Sequence, residues 1–145
     1  MLGLPVHTDA TAYLARRREL GAEEVTRRLL TASGVGWFLV ETGYGAEQTL
    51  EPAEMARISG VAAAEIVRLE SVAEQVAASG VTAAGFADQF ASTLAERARC
   101  AVGLKSVIAY RYGLDFDPEP PSAEDVRRAA GRWLRRRETG GTRLT

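Results

Sequence analysis

Three short apolar runs, each set off by turn residues and followed by a helical pattern, constrain this chain more than any other feature. Trp37-Phe38-Leu39-Val40 is an unbroken apolar run between Gly36 and Gly43, which reads as a strand buried on both faces. Ile66-Val67-Arg68-Leu69 is a weaker strand, because the alanines before it would suit a helix equally well. Ala101 to Tyr110 is the strongest, with β-branched Val102, Val107 and Ile108. Strands separated by helices join through right-handed crossovers into a parallel sheet.

The helical segments carry their own boundary signals. Thr8-Asp9 can start a helix from Ala10 to about Leu20, which Gly21 breaks. A second runs from Ala22 to about Ala32 with Ala22, Val25, Leu29 and Ala32 on one face, and Gly34 ends it. Pro52 opens a short helix closed by Gly60. Val72 to Ala78 forms another. Thr82 suits an N-cap, with Val81 stapled to Phe86, and Phe86, Phe90 and Leu94 follow at helical spacing. Ser122, with Glu124 and Asp125 after it, starts the last helix. Its apolar stripe is Val126, Ala129, Ala130, Trp133 and Leu134, and Gly140-Gly141 ends it. The expectation is an α/β chain, with a helical segment at 1–34 and about three parallel strand–helix units at 35–145.

At 145 residues the chain is too short for a complete eight-fold strand–helix barrel, which needs about 250. Three parallel strands leave two unpaired edges. With the chain stopping at Arg143-Leu144-Thr145, it reads as a piece of a larger α/β protein. Eighteen basic against nineteen acidic side chains give no bulk field for nucleic acid or anionic lipid. One cysteine, Cys100, cannot form an internal disulfide, and one histidine, His7, cannot form a His-rich metal cage. No apolar run approaches the roughly 20 residues of a membrane helix, and no leader pattern opens the chain. A soluble, cytoplasmic protein with no nucleic-acid or membrane partner is expected.

The run Ala101-Val102-Gly103-Leu104-Lys105-Ser106-Val107-Ile108-Ala109-Tyr110-Arg111 resembles the GLKS-x-x-AYR signature of amidohydrolase-related proteins, in the branch also found fused to glutamine-synthetase-like domains. Leu39-Val40-Glu41-Thr42-Gly43, Pro52-Ala53-Glu54-Met55 and Ile66-Val67-Arg68-Leu69-Glu70 are similar in the same order. The resemblance covers roughly residues 20 to 145, and its most specific part is the Lys105 motif. It implies an internal fragment of a metal-dependent hydrolase, with 35–145 forming part of a TIM-like (β/α) barrel. In that fold the active site lies at the C-terminal ends of the strands. The implied reaction is hydrolysis of a C–N or related acyl bond by water activated on a divalent metal, zinc or similar. The His-x-His pair of the family's first strand and its later metal ligands have no counterpart here. The chain alone is therefore expected to be inactive, its partners being a small-molecule substrate in the full protein and the rest of the barrel, or a second copy, over the sheet edges.

Lys105 is the only lysine beside seventeen arginines, and strand alternation puts it on one face with Gly103, Val107, Ala109 and Arg111. A buried ammonium is costly unless paired, neutralised or modified. The resemblance implies that Lys105 is catalytic and, as a carbamate, a metal ligand; an ordinary ion pair with Glu70 is the alternative. Arg111 and Tyr110 lie near the end of that strand, where arginine offers a fork for a carboxylate, or a rim salt bridge to Asp115 or Asp117. Arg68, Glu70 and Glu41 lie at the ends of the other two strands and could orient substrate, support metal ligands from behind, or merely pack or pair.

Other features carry less. Asp115, Asp117 and Glu119 lack EF-hand spacing. His7 reads as a solvated terminal residue and Cys100 as a small buried hydrophobe. Arg16-Arg17-Arg18 and Arg135-Arg136-Arg137 read as solvated helix faces. Gly34-Val35-Gly36 precedes a strand, so it is no dinucleotide loop. A non-catalytic α/β interaction module that self-associates or completes a partner subunit is the competing reading.

Overall fold

The computed structural model describes residues 1–138; Gly140-Gly141 and Arg143-Leu144-Thr145 lie outside the described residues. In chain order the elements are α1 (Ala10–Leu20), α2 (Ala22–Ala32), β1 (Trp37–Glu41), a 3-10 turn (Ala46–Gln48), α3 (Pro52–Ser59) and β2 (Ala62–Arg68). They continue with α4 (Leu69–Ala78), α5 (Phe86–Ala98), β3 (Gly103–Lys105), α6 (Ala109–Tyr112) and α7 (Ala123–Glu138). The strands form one three-strand parallel sheet in the order β1-β2-β3. The fold is thus mixed α/β. Contacts divide the chain into two compact units, residues 1–40 with 47–64, and residues 41–46 with 65 onward.

In the first unit, Asp9 caps α1 by accepting the Thr11 and Ala12 amides at 2.9 and 3.0 Å. Val25 carries the buried face of α2, whereas Ala22 and Ala32 are exposed. Pro52 occupies the first turn of α3, and Gly60 closes it in the left-handed conformation at φ 76°. Strand β1 corrects the expectation of two buried faces: Trp37 and Leu39 are 58% and 56% exposed, while Phe38 and Val40 are half-buried. One face of this strand has no cover among the described residues.

In the second unit, Glu70, Val72, Ala73 and Val76 are the buried positions of α4, which packs against α5. Phe86 stacks on Phe90 at 6.4 Å and meets Trp133 of α7 edge-on at 5.7 Å. Ser122 starts α7 as expected, accepting the Asp125 amide and donating to its carboxylate. Helix α5 begins at Phe86, after a turn in which Thr82 accepts the Gly85 amide; the expected cap therefore opens that turn rather than the helix. Cys100 is exposed, because it falls in the tight turn leaving α5 rather than on the strand that follows.

Two strand boundaries shift, each for a tertiary reason. Strand β2 reaches back through the alanines to Ala62 and stops at Arg68, with Leu69 already helical. It is the central strand, and pairing overrides the weak strand preference of alanine. Strand β3 is only Gly103–Lys105, and Ala109–Tyr112 is helical, correcting the long strand read from Ala101 to Tyr110. Ser106 and Val107 are drawn to Glu70, and the Tyr110 and Arg111 amides bond back to the carbonyls of Val107 and Ile108. Strand alternation therefore does not carry Val107, Ala109 and Arg111 onto the Lys105 face.

Candidate functional site at the strand ends

Each strand ends on a charged residue: Glu41 on β1, Arg68 on β2 and Lys105 on β3. Strands β2 and β3 are parallel, with Ile66, Val67 and Arg68 opposite Gly103, Leu104 and Lys105. Register partners project to the same side, so the Arg68 and Lys105 side chains start as neighbours. Glu41 Oε2 lies 3.8 Å from Arg68 Nη1 and 3.8 Å from Lys105 Nζ. One carboxylate oxygen thus serves two cations. Arg68 also lies over the Tyr44 ring, 5.4 Å from its centre.

Glu70 sits in the first turn of α4, where helical geometry turns its carboxylate back toward the strand ends. Its Oε1 accepts the Ser106 hydroxyl at 2.6 Å and the Val107 amide at 3.0 Å. Its Oε2 lies 3.6 Å from Arg68 Nε. Burial works to raise this carboxyl. The bonds from Ser106 and from the Glu70 and Val107 amides, with the Arg68 charge, outweigh that cost and hold it below its ordinary value. A neighbouring polar tie closes the flank: Glu65 Oε1 accepts the Thr42 hydroxyl at 2.7 Å and Arg97 Nη2 at 2.9 Å.

Glu41, Arg68 and Glu70 are enclosed but incompletely bonded. Glu41 Oε1, Arg68 Nε and Glu70 Oε2 are buried without a hydrogen-bond partner among the described residues. Such atoms cost about 1–3 kcal/mol each when left unpaired, and functional sites are where proteins tolerate them. The ion pairs at 3.6–3.8 Å are longer than a hydrogen bond. Chemically, the arrangement offers an unpartnered carboxylate oxygen beside two cations.

Lys105 departs from the expectation of a buried amine: its side chain is 43% exposed, and its partner is Glu41, not Glu70. The amine is thus half-open rather than enclosed, with Glu41 beside it. Arg111 lies with Glu70, Ile108 and Tyr112 around a cleft of about 30 Å³, and no ion pair joins it to Asp115 or Asp117 among the described residues. Tyr110 is 89% exposed and stands outside the cluster. The structure therefore gathers Glu41, Arg68, Glu70 and Lys105, and adds Tyr44 and Ser106, which the sequence reading does not single out. Ser106 had a usable signal, a hydroxyl directly after the lone lysine; Tyr44 had none.

These residues do not assemble a metal centre. The two carboxylates are already engaged by cations, and no group of three or more His, Cys, Asp or Glu side chains converges to hold an ion among the described residues. A larger groove of about 490 Å³ runs along α7, lined by Phe86, Pro121 and Trp133 among others and by none of the strand-end residues. No helix among the described residues is long and apolar enough to cross a membrane.

No family model matches the chain, and no curated protein matches it. Among solved structures, a "putative metal-dependent hydrolase" from Lactobacillus casei is similar, at a TM-score of 0.75 and 27% identity over 94% of this chain. That likeness supports a metal-dependent hydrolase fold. The match covers 36% of the Lactobacillus protein, so the chain spans about a third of its length.

Proposed function

We propose that this chain is a segment of an amidohydrolase-like, metal-dependent hydrolase acting on a C–N or related acyl bond, and that its sheet is part of a TIM-like barrel. The observation that carries this reading is the convergence of Glu41, Arg68 and Lys105, the last residues of three neighbouring strands, on one cluster with unsatisfied buried polar atoms. Barrel hydrolases use that end of their strands. Likeness to the Lactobacillus casei protein supports the same class.

Within it, Lys105 is the residue that chemistry works through. Addition of carbon dioxide to its neutral amine, with loss of a proton, turns a cation into an oxygen donor beside Glu41. Arg68 and Glu41 orient the polar end of a small substrate, and Arg111 supplies a contact from the following helix. Because the described residues do not fit a divalent metal by themselves, its remaining ligands belong to other polypeptide, and the 145-residue chain alone turns over no substrate. The lone cysteine suits a cytoplasmic setting.

A second reading, a non-catalytic interaction module, draws on strand β3, an edge strand whose Leu104 is 53% exposed. The rest of a barrel, or a second copy, would cover it. Carbon-13 NMR of the protein in labelled bicarbonate, alongside intact-mass analysis, separates the two. A carbamate resonance that disappears in Lys105→Arg supports the hydrolase. No adduct in the full-length, metal-loaded protein counts against it.

A further inference from the structure

We infer that Glu70 is a positioning residue: by clamping the turn directly after Lys105, it places the lysine amine against Glu41. This inference rests on the reactive role proposed for Lys105 and assigns Glu70 a task other than substrate contact. Glu70 Oε1 holds two donors from the segment leaving β3, the Ser106 hydroxyl and the Val107 amide. The Ser106 oxygen in turn accepts the Ile108 amide at 3.2 Å, so one carboxylate oxygen organises three successive residues. These contacts end β3 at Lys105 and start α6 at Ala109.

The carboxylate suits such work. Its side chain is only 7% exposed, and it projects from a helix whose neighbouring positions Val72, Ala73 and Val76 are buried. The clamp joins residues 36 and 37 apart in sequence, the segment leaving one strand to the segment leaving the next. Lys105 by contrast has, among the described residues, a single ion pair, at 3.8 Å, on a half-exposed side chain. Its own contacts do not fix its position, which is inherited from the backbone on either side. That backbone is held by pairing with Arg68 before the turn and by Glu70 after it.

Reductive methylation with carbon-13 formaldehyde labels the sole lysine and the N-terminal amine, giving Lys105 its own resonance. The expected resonance is displaced from its position in the urea-unfolded chain. In Glu70→Ala, with folding checked by circular dichroism, it collapses to the unfolded position; in Glu70→Gln, whose amide oxygen still accepts both bonds, it stays displaced. Should Glu70→Ala not fold, Ser106→Ala, which deletes one donor at an exposed position, decides by the same displacement. The inference is overturned by an undisplaced wild-type resonance or by folded alanine variants that leave it unmoved. Equal loss in Glu70→Gln and Glu70→Ala also overturns it, since charge rather than the clamp would then be acting. Neither carbamate formation nor hydrolysis enters this readout, so its failure is separate from failure of the hydrolase reading.

Discussion

Arg68 and Lys105 are register partners across the parallel pair β2–β3, and their cationic ends share one oxygen of Glu41 at equal distances of 3.8 Å. Two like charges set side by side repel, and the shared carboxylate, with Glu70 Oε2 3.6 Å from Arg68 Nε, offsets that repulsion. Among the described residues the remaining Glu41 oxygen is left without a bond, a state that a bound polar group would relieve.

Removing that carboxylate exposes the repulsion. Glu41→Ala is expected to lower stability by about 1–3 kcal/mol, since Arg68 is largely buried and loses a counter-charge. Lys105→Ala is expected to cost less than about 1 kcal/mol, because its partly exposed pair is screened by water. Urea unfolding checks both, as a lower midpoint at unchanged slope.

Acid should act on Glu70. Its carboxyl titrates below the ordinary value of 4.5 in the folded chain. The stability it contributes is therefore present above that value and is lost as pH falls through the lower folded one. Thermal melts from neutral to acid pH should show a fall in Tm that is shallower in Glu70→Gln, which carries no titrating proton there. Equal acid sensitivity in both proteins would disprove the assignment.

Trp133 is 4% exposed and meets the Phe86 ring edge-on. Trp133→Ala should destabilise the second unit by about 3–5 kcal/mol through loss of buried area and the cavity left behind. Trp133→Phe should cost less. Equilibrium unfolding followed by circular dichroism measures the difference without relying on the deleted indole.

At Gly43 the limit is space. An added Cβ would collide with the Ser71 hydroxyl, which donates to the Gly43 carbonyl at 2.7 Å, and would lie 2.8 Å from Ser71 Cβ. Gly43→Ala should cost about 1–3 kcal/mol. Ser71→Ala should not rescue it, because the colliding Cβ remains; a double variant as stable as wild type would contradict this geometry.

Features governed by a few consecutive residues are legible in the chain itself. Asp9 before α1, Pro52 and Gly60 around α3 and Ser122 before α7 work because caps and turn residues act within one helical turn. The order of strands and helices, and the singular Lys105, are legible for the same reason. Strand ends are different. Ala62–Ala64 become strand by pairing, and Val107–Tyr110, apolar and β-branched enough to continue one, turn away because a carboxylate from 37 residues earlier takes the Val107 amide. The exposure of Lys105, and its choice of Glu41 over Glu70, likewise depend on register and on which strand lies beside which. Hydrogen bonds and ion pairs between distant segments are decided by where the whole chain brings their atoms, and no local preference encodes that distance.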